Sequence, residues 1–363
     1  MNKKKWKVAV VGAGGFAHNF YFSEISKCAN AECVAACDIN PKQLELTRER
    51  FGVEQLYGSV EELLEKCDFD IAIDSASIPA HHELNMAIMA AGKHLISQKP
   101  AGLTVDQVTE QIETAKKAGV KFACVPIHSL APDMKMAKRL MAKGAIGDII
   151  SIKCVSAHGG PEYFQYRDAD PEWFFHPGAG ALYDMGIHAV DKVVSLMGPV
   201  KRLTAMSACA RKTRMVRSGT FDGKIMKTDI LPDTYFITLD FGNDRLGCID
   251  TGFTHVATKC PQMEVYGSHG TISFKFGEVR PNPAVYIDSP DWDLRGWTEP
   301  DDGIVQHPGI FRQTCCLTDL VRAIETDTEP ELSGVRARHI VEVLCAIEQS
   351  AKTNMPVELK TTF

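Results

Sequence analysis

Lys7-Val-Ala-Val-Val-Gly12-Ala-Gly14-Gly15-Phe16-Ala17 is the stretch on which the fold turns. An apolar run of strand length ends in a glycine turn and passes directly into helix-compatible sequence. Each small residue has a physical reason. Gly12 permits the tight turn, Gly14 lets a backbone approach a pyrophosphate, and Ala17 lets helix pack on strand, which together make the G-x-G-x-x-A dinucleotide fingerprint. The helix start at Gly15 and Phe16 then presents backbone N–H groups to the phosphates. Glycine turns after strands are common, so the weight of this motif comes from its surroundings.

The next strand, Glu32 to Asp38, ends in an acid about 20 residues on, the spacing at which a carboxylate grips the adenosine ribose. No Arg or Lys follows until Lys42, so no cation waits for a 2′-phosphate and NAD is favoured over NADP. The competing reading makes Asp38 a helix cap before Pro41. Further strands are expected near 55–57, 70–76, 94–97 and 120–125, and helices near 41–51, 60–66, 80–92 and 104–118. That alternation predicts a doubly wound parallel sheet over residues 1–127. Ligands of such sheets lie at the carboxyl ends of the strands, which places Ser75, Ser77, Gln98 and Lys99 beside the cofactor.

A chain of 363 residues is long for one core and predicts two domains. Its net charge of −6 and lack of a clustered basic face exclude nucleic acid as the expected partner. No run approaches the ~20 apolar residues of a membrane span, and Val8–Val11 is too short for a signal peptide, so a soluble cytoplasmic protein is expected. The twelve cysteines then read as reduced thiols, without zinc-site spacing, and no metal is expected.

Residues 128–363 read differently. An amphipathic helix over 131–143 stops at Gly144–Gly147, and strands follow at about 147–156, 200–209, 233–241, 245–254, 260–267 and 271–276. Strands with few helices between them predict an open, mostly antiparallel sheet, hence an α+β domain for substrate binding and oligomerisation. C-terminal helices are expected at about 308–326 and 334–352, the last packing back on the first domain. Residues 211–228 form a basic insertion, read by default as a solvated hairpin, and 280–307, rich in Pro and Asp, as irregular surface. Ahead of both sits His158–Pro177, where Tyr163, Tyr166, Trp173 and His176 offer aromatic faces and polar tips that suit a sugar ring; core tethering of a long loop explains the same residues. The segment leads into Gly178–Asp191, an apolar helix carrying Asp184, His188 and Asp191. Asp184 and His188 are four apart, so on an α-helix they share a face.

Ala91-Gly-Lys-His-Leu-Ile-Ser-Gln98-Lys99-Pro100 resembles the A-G-K-H-V-x-x-E-K-P segment of the Gfo/Idh/MocA oxidoreductase family. His81 and Glu83 fall where that family carries H-x-E, and Gly178–Asp191 resembles its G-G-x-L-x-D-x-G-x-H-x-x-D signature. The resemblance spans the whole chain and implies an NAD-dependent oxidoreductase acting on CH–OH groups of a sugar, polyol or glycoside. It also implies a homo-oligomer, a cofactor contact at His81, and Lys99, which touches substrate and nicotinamide, acting with Asp184 and His188. Gln98 departs from the family's glutamate and removes a negative charge beside Lys99. The expected mechanism has His188 removing the hydroxyl proton, Lys99 stabilising the oxygen's growing charge and Asp184 positioning the histidine or a neighbouring hydroxyl. Two alternatives stand beside this: a redox-neutral NAD-dependent glycosidase or lyase, which uses the same lysine and histidine, and a non-catalytic NAD or sugar sensor, which has no need for Lys99, Asp184 and His188 together.

Overall fold

The computed structural model describes residues 4–28, 30–163, 170–275, 283–289, 294–300 and 312–363. The chain divides into two compact units, one of residues 1–127 with 312–341 and one of 128–311 with 342–363. Residues 312–341 thus belong with the first unit, where the sequence reading put all of 128–363 in the second domain.

The first unit is built on six parallel strands, β1 (Trp6–Val11), β2 (Ala31–Cys37), β3 (Gln55–Tyr57), β4 (Ile71–Asp74), β5 (His94–Ser97) and β6 (Phe122–Cys124). They lie in the order β3-β2-β1-β4-β5-β6, the doubly wound arrangement in which the strand order reverses at β1 and β4. β1 and β4 are buried on both faces, which is why they read as continuous apolar runs. The intervening helices start where side chains satisfy their first amides. Asn40, Ser59 and Thr104 accept the N–H groups of Lys42, Glu62 and Gln107, each cap contributing about 1 kcal/mol. Gly52 and Gly119, both left-handed, end the helices Pro41–Phe51 and Val105–Ala118. The helix cap before Pro41 is therefore Asn40; Asp38 accepts the Asn40 N–H at 2.8 Å instead.

Among the described residues of the second unit nine strands form one sheet, in the order Leu294–Thr298, Ala284–Ser289, Gly270–Phe274, Met263–Gly267, Ile149–Ala157, Arg245–Gly252, Thr234–Gly242, Arg202–Ala208 and Val357–Glu358. All pairings are antiparallel except Ile149–Ala157 with Arg245–Gly252. Two of these strands, Ala284–Ser289 and Leu294–Thr298, fall where irregular surface was expected: the Pro and Asp that suggested it flank two short alternating runs. Ile152, Ile237 and Ile249 point to the buried face, as do Val190, Val193 and Val194 of the helix Ile187–Met197, which packs on the strand Ile149–Ala157. Met206 and Phe236 stand on the other face, 72% and 61% exposed.

Candidate active site

At the glycine turn the backbone is crowded on one side and open on the other. Gly12 has φ +83°, and a Cβ there would lie 2.5 Å from the Ala76 amide nitrogen, so no other residue fits. Its N–H donates to Cys37 O and the Ser75 N–H to Val11 O, locking the turn between the ends of β2 and β4. A Cβ on Gly14 or Gly15 would meet nothing within 4 Å. Ala17 is buried, as helix-on-strand packing requires, while the Phe16 ring meets that of Phe20 at a tilt of 40°. The helix begins at Gly15 without a side-chain cap, widens to a π-helix over His18–Phe22 and returns to α at Ser23–Ile25.

Asp38 accepts the Ala13 N–H at 2.7 Å, tying the end of β2 to the glycine loop. Each carboxylate oxygen has two lone pairs, so the group keeps acceptor capacity for ribose hydroxyls. The open side of Gly14 and Gly15, the uncapped helix start and Asp38 together fit an NAD molecule. Ser75 and exposed Ser77 stand in the loop after β4. His81 is placed otherwise than expected. It is 1% exposed, and its Nδ1 lies 2.6 Å from Asp74 Oδ2, while Asp74 Oδ1 accepts the Ala76 N–H. The pair braces the Ser75–Ile78 loop from behind.

Gln98 is also turned inward: its amide donates to the Tyr21 hydroxyl at 2.5 Å, and Gln313 donates to the same oxygen at 3.4 Å. Burial pushes the Tyr21 phenol well up, so it stays neutral beside them. The amide in place of the family's glutamate thus serves the interior of the unit, and half-buried Lys99 follows it directly.

In the second unit Asp184 and His188 straddle a junction. Leu182–Gly186 is a π-helical turn that leads into the α-helix Ile187–Met197. The four-residue spacing therefore crosses from one ladder to the other, and the single α-helix read from sequence is corrected. Such turns free carbonyls that need partners. Met185 O accepts the Ser156 hydroxyl at 3.0 Å, Tyr183 OH donates to Glu348, and a Cβ on Gly186 would require the Leu182 Cδ1 methyl, 2.7 Å away, to shift.

Each of the two residues meets an imidazole that sequence reasoning did not single out. His188 Nδ1 lies 3.0 Å from His128 Nε2, and Asp184 Oδ2 lies 3.8 Å from His158 Nε2. The Gly160 N–H donates to His158 Nδ1, so the neutral ring carries its proton on Nε2, facing Asp184. His158 stacks on Phe253, and the His128 backbone N–H donates to Asp191 Oδ2 at 3.2 Å. Behind this helix face lie buried Lys192 and half-buried Asp133, and desolvation pushes the ammonium down and the carboxyl up. The signals were slight: His128 closes the apolar run after β6, and His158 opens the aromatic segment.

Within that segment Trp173 stacks on Phe174, and both precede exposed His176. Tyr163 lies under the Arg217 guanidinium at 4.4 Å, and Tyr166 is outside the described residues. The basic insertion is the strand pair Thr213–Met215 and Ile225–Lys227, and only one of its faces is solvated. Arg214, 1% exposed, bonds Glu162 at 2.6 Å and Asp233 at 2.7 Å, and Lys224 pairs with Asp170 and Glu172. Two of its cations, Arg214 and Lys224, thus reach acids of the His158–Pro177 segment.

With this geometry in hand, comparison places the chain. Residues 6–125 match the oxidoreductase family with an NAD-binding Rossmann fold, and 134–273 match the GFO/IDH/MocA C-terminal domain. D-glucoside 3-dehydrogenase of Escherichia coli is 25% identical over 70% of this chain and 72% of its own. Myo-inositol 2-dehydrogenase of Thermotoga maritima is 26% identical over 73% and 74%. Among solved structures, levoglucosan dehydrogenase in complex with NADH superposes with a TM-score of 0.84 at 20% identity, covering 99% of this chain and 100% of that one. Among the described residues no helix is long and apolar enough to cross a membrane. A glycine turn open to a pyrophosphate, a lysine ahead of proline and the Asp184/His188 helix therefore belong to one lineage: the chain is a member of the Gfo/Idh/MocA family of NAD-dependent sugar and polyol oxidoreductases.

Proposed function

We propose that the protein oxidises a secondary alcohol of a sugar, polyol or glycoside, with ring carbon 3 of a glucoside as the narrower assignment. Bound NAD⁺ supplies the hydride acceptor. His188 takes the hydroxyl proton, Lys99 stabilises the negative charge that grows on the oxygen, and Asp184, facing His158, holds a neighbouring hydroxyl. The observation that carries this reading is His188 itself, an imidazole in an apolar helix, held at Nδ1 by a second imidazole. Such an arrangement serves a proton acceptor better than a packing residue.

The glucoside assignment draws on the name of the Escherichia coli relative and on the aromatic segment, whose exposed Trp173 and half-buried Tyr163 suit the C–H face of a ring and its aglycone. The exposed sheet face around Phe236 and Met206 supports a homo-oligomer, since a patch of this kind on a soluble enzyme is usually covered. Twelve cysteines, all thiols, support a reducing compartment such as the cytoplasm.

The test is to mix the purified protein with NAD⁺ and a panel of free sugars, inositols and aryl glucosides. Nicotinamide reduction is followed by near-ultraviolet absorbance and the sugars by mass. The proposal expects reduced cofactor together with a product two hydrogens lighter, and an aryl glucoside among the best substrates. Turnover confined to inositols would overturn the narrower assignment, and binding without any turnover would overturn the broader one.

A further inference from the structure

We propose that His128 is a positioning residue that fixes the tautomer of His188, keeping a proton on Nδ1 so that Nε2 is the atom exchanging a proton with the substrate hydroxyl. The inference rests on the assignment of His188 as the base. A neutral imidazole carries one proton, and the bond made by one nitrogen decides where it sits. His128 Nε2 and His188 Nδ1 are 3.0 Å apart, with the rings edge-to-face at 79° and centroids separated by 5.1 Å. Between two neutral rings only one can donate. If His128 donates, His188 already holds its proton on Nε2 and has no lone pair for the substrate. If His188 donates, Nε2 is the basic atom.

The chain holds the acceptor in place from both sides. His128 opens the short 3-10 turn His128–Leu130, and its backbone N–H donates to Asp191 Oδ2, one helical turn beyond His188. His128 is thus tied to one helix at two points, its backbone N–H to Asp191 and its ring to His188. In the reaction the substrate O–H and carbinol C–H bonds break, the carbonyl forms, the hydride leaves for the nicotinamide with both electrons, and the hydroxyl proton arrives on His188 Nε2. The resulting imidazolium keeps its Nδ1–H on neutral His128. Run backwards, the same cation returns the proton from Nε2, so one tautomer serves both directions.

The experiment combines nitrogen-15 NMR of histidine-labelled full-length protein, above the histidine titration range, with steady-state kinetics. The His188 signals are assigned by their loss in His188→Ala. The expected wild-type spectrum has a protonated Nδ1 and an unprotonated Nε2 on His188. In His128→Leu the proton moves to Nε2, and kcat falls roughly a hundredfold or more, because a wrong tautomer is what costs serine proteases their kcat when the orienting carboxylate is lost. The KM for NAD⁺ stays unchanged. His128→Gln places an amide oxygen near the lost ring nitrogen and is expected to restore both the tautomer and most of kcat. An unprotonated Nδ1 on His188 in the wild type, an unchanged tautomer in His128→Leu, or a His128→Gln as slow as His128→Leu would each overturn the inference. If His188→Ala turns over at the wild-type rate, the base assignment has failed; if His188→Ala is inactive while His128→Leu is normal, only the inference has.

Discussion

Arg214→Met tests how the aromatic segment is held. The guanidinium donates to Glu162 at 2.6 Å, Asp233 at 2.7 Å and Gly159 O at 3.2 Å, and all three side chains are at most 3% exposed. Asp233 also accepts the Ala210 and Arg211 amides, so it cannot turn away to solvent. Removing the cation strands two carboxylates out of water, which costs about 3–5 kcal/mol, against 0–1 kcal/mol for an exposed pair. With an m-value of about 2 kcal/mol/M in urea, the unfolding midpoint should fall by about 1.5–2.5 M. Gly160→Ala attacks the same contact from the other side, because its Cβ would sit 2.3 Å from Glu162 Oε2 at a φ of +120°. The segment also carries His158, so below the new midpoint the KM for substrate should rise while NAD⁺ affinity holds. A midpoint within about 0.5 M of wild type, the shift expected of a surface pair, would refute the reasoning.

Three further outcomes follow from single contacts. Asp38→Ala should weaken NAD⁺ binding, read by calorimetry or fluorescence titration, while leaving kcat at saturating NAD⁺ within a few-fold of wild type; a collapse of kcat with normal affinity would exchange its role with that of His188. Burial lowers the pKa of His94, whose Nδ1 accepts the Lys121 N–H. The native ring then binds fewer protons than the unfolded one below pH 6.5, so stability should fall as pH drops through that value, with a slope of at most about 1.4 kcal/mol per pH unit for one proton. His94→Asn, which keeps an acceptor without a titration, should flatten the dependence in urea melts between pH 6.5 and 5. Finally, Phe236→Glu puts a charge on the exposed sheet face and should lower the mass measured by light scattering; an unchanged oligomer would move the interface elsewhere.

Most of the first unit was legible because its signals are local. Apolar runs and the glycines that stop them act within a few residues, whereas the caps at Asn40, Ser59 and Thr104 were seen only in the structure. The second sheet was legible as strands but not in full. Its short strands Ala284–Ser289 and Leu294–Thr298 lie among Pro and Asp, and their pairing is set by neighbours rather than by their own composition. The motif gave Asp184 and His188 but not the π turn that holds Asp184, where the Ser156 hydroxyl, 29 residues away, donates to Met185 O. His128, His158 and the Arg214 network escaped for the same reason: their partners lie 60, 26 and 52 residues off in sequence, and no periodicity records such contacts. Gln98 was noticed as a departure, yet its use on Tyr21 shows only in three dimensions.

Isotope tracing decides whether net hydride transfer from a carbinol carbon takes place. A substrate found in the panel is prepared with deuterium on the oxidised carbon and turned over with unlabelled NAD⁺, and both products are weighed by mass spectrometry. One deuterium is expected in the reduced nicotinamide for each carbonyl formed, with the label lost from the sugar. Deuterium retained in the sugar, with a glycosidic bond broken and no net reduced cofactor, would contradict it and make the enzyme redox-neutral.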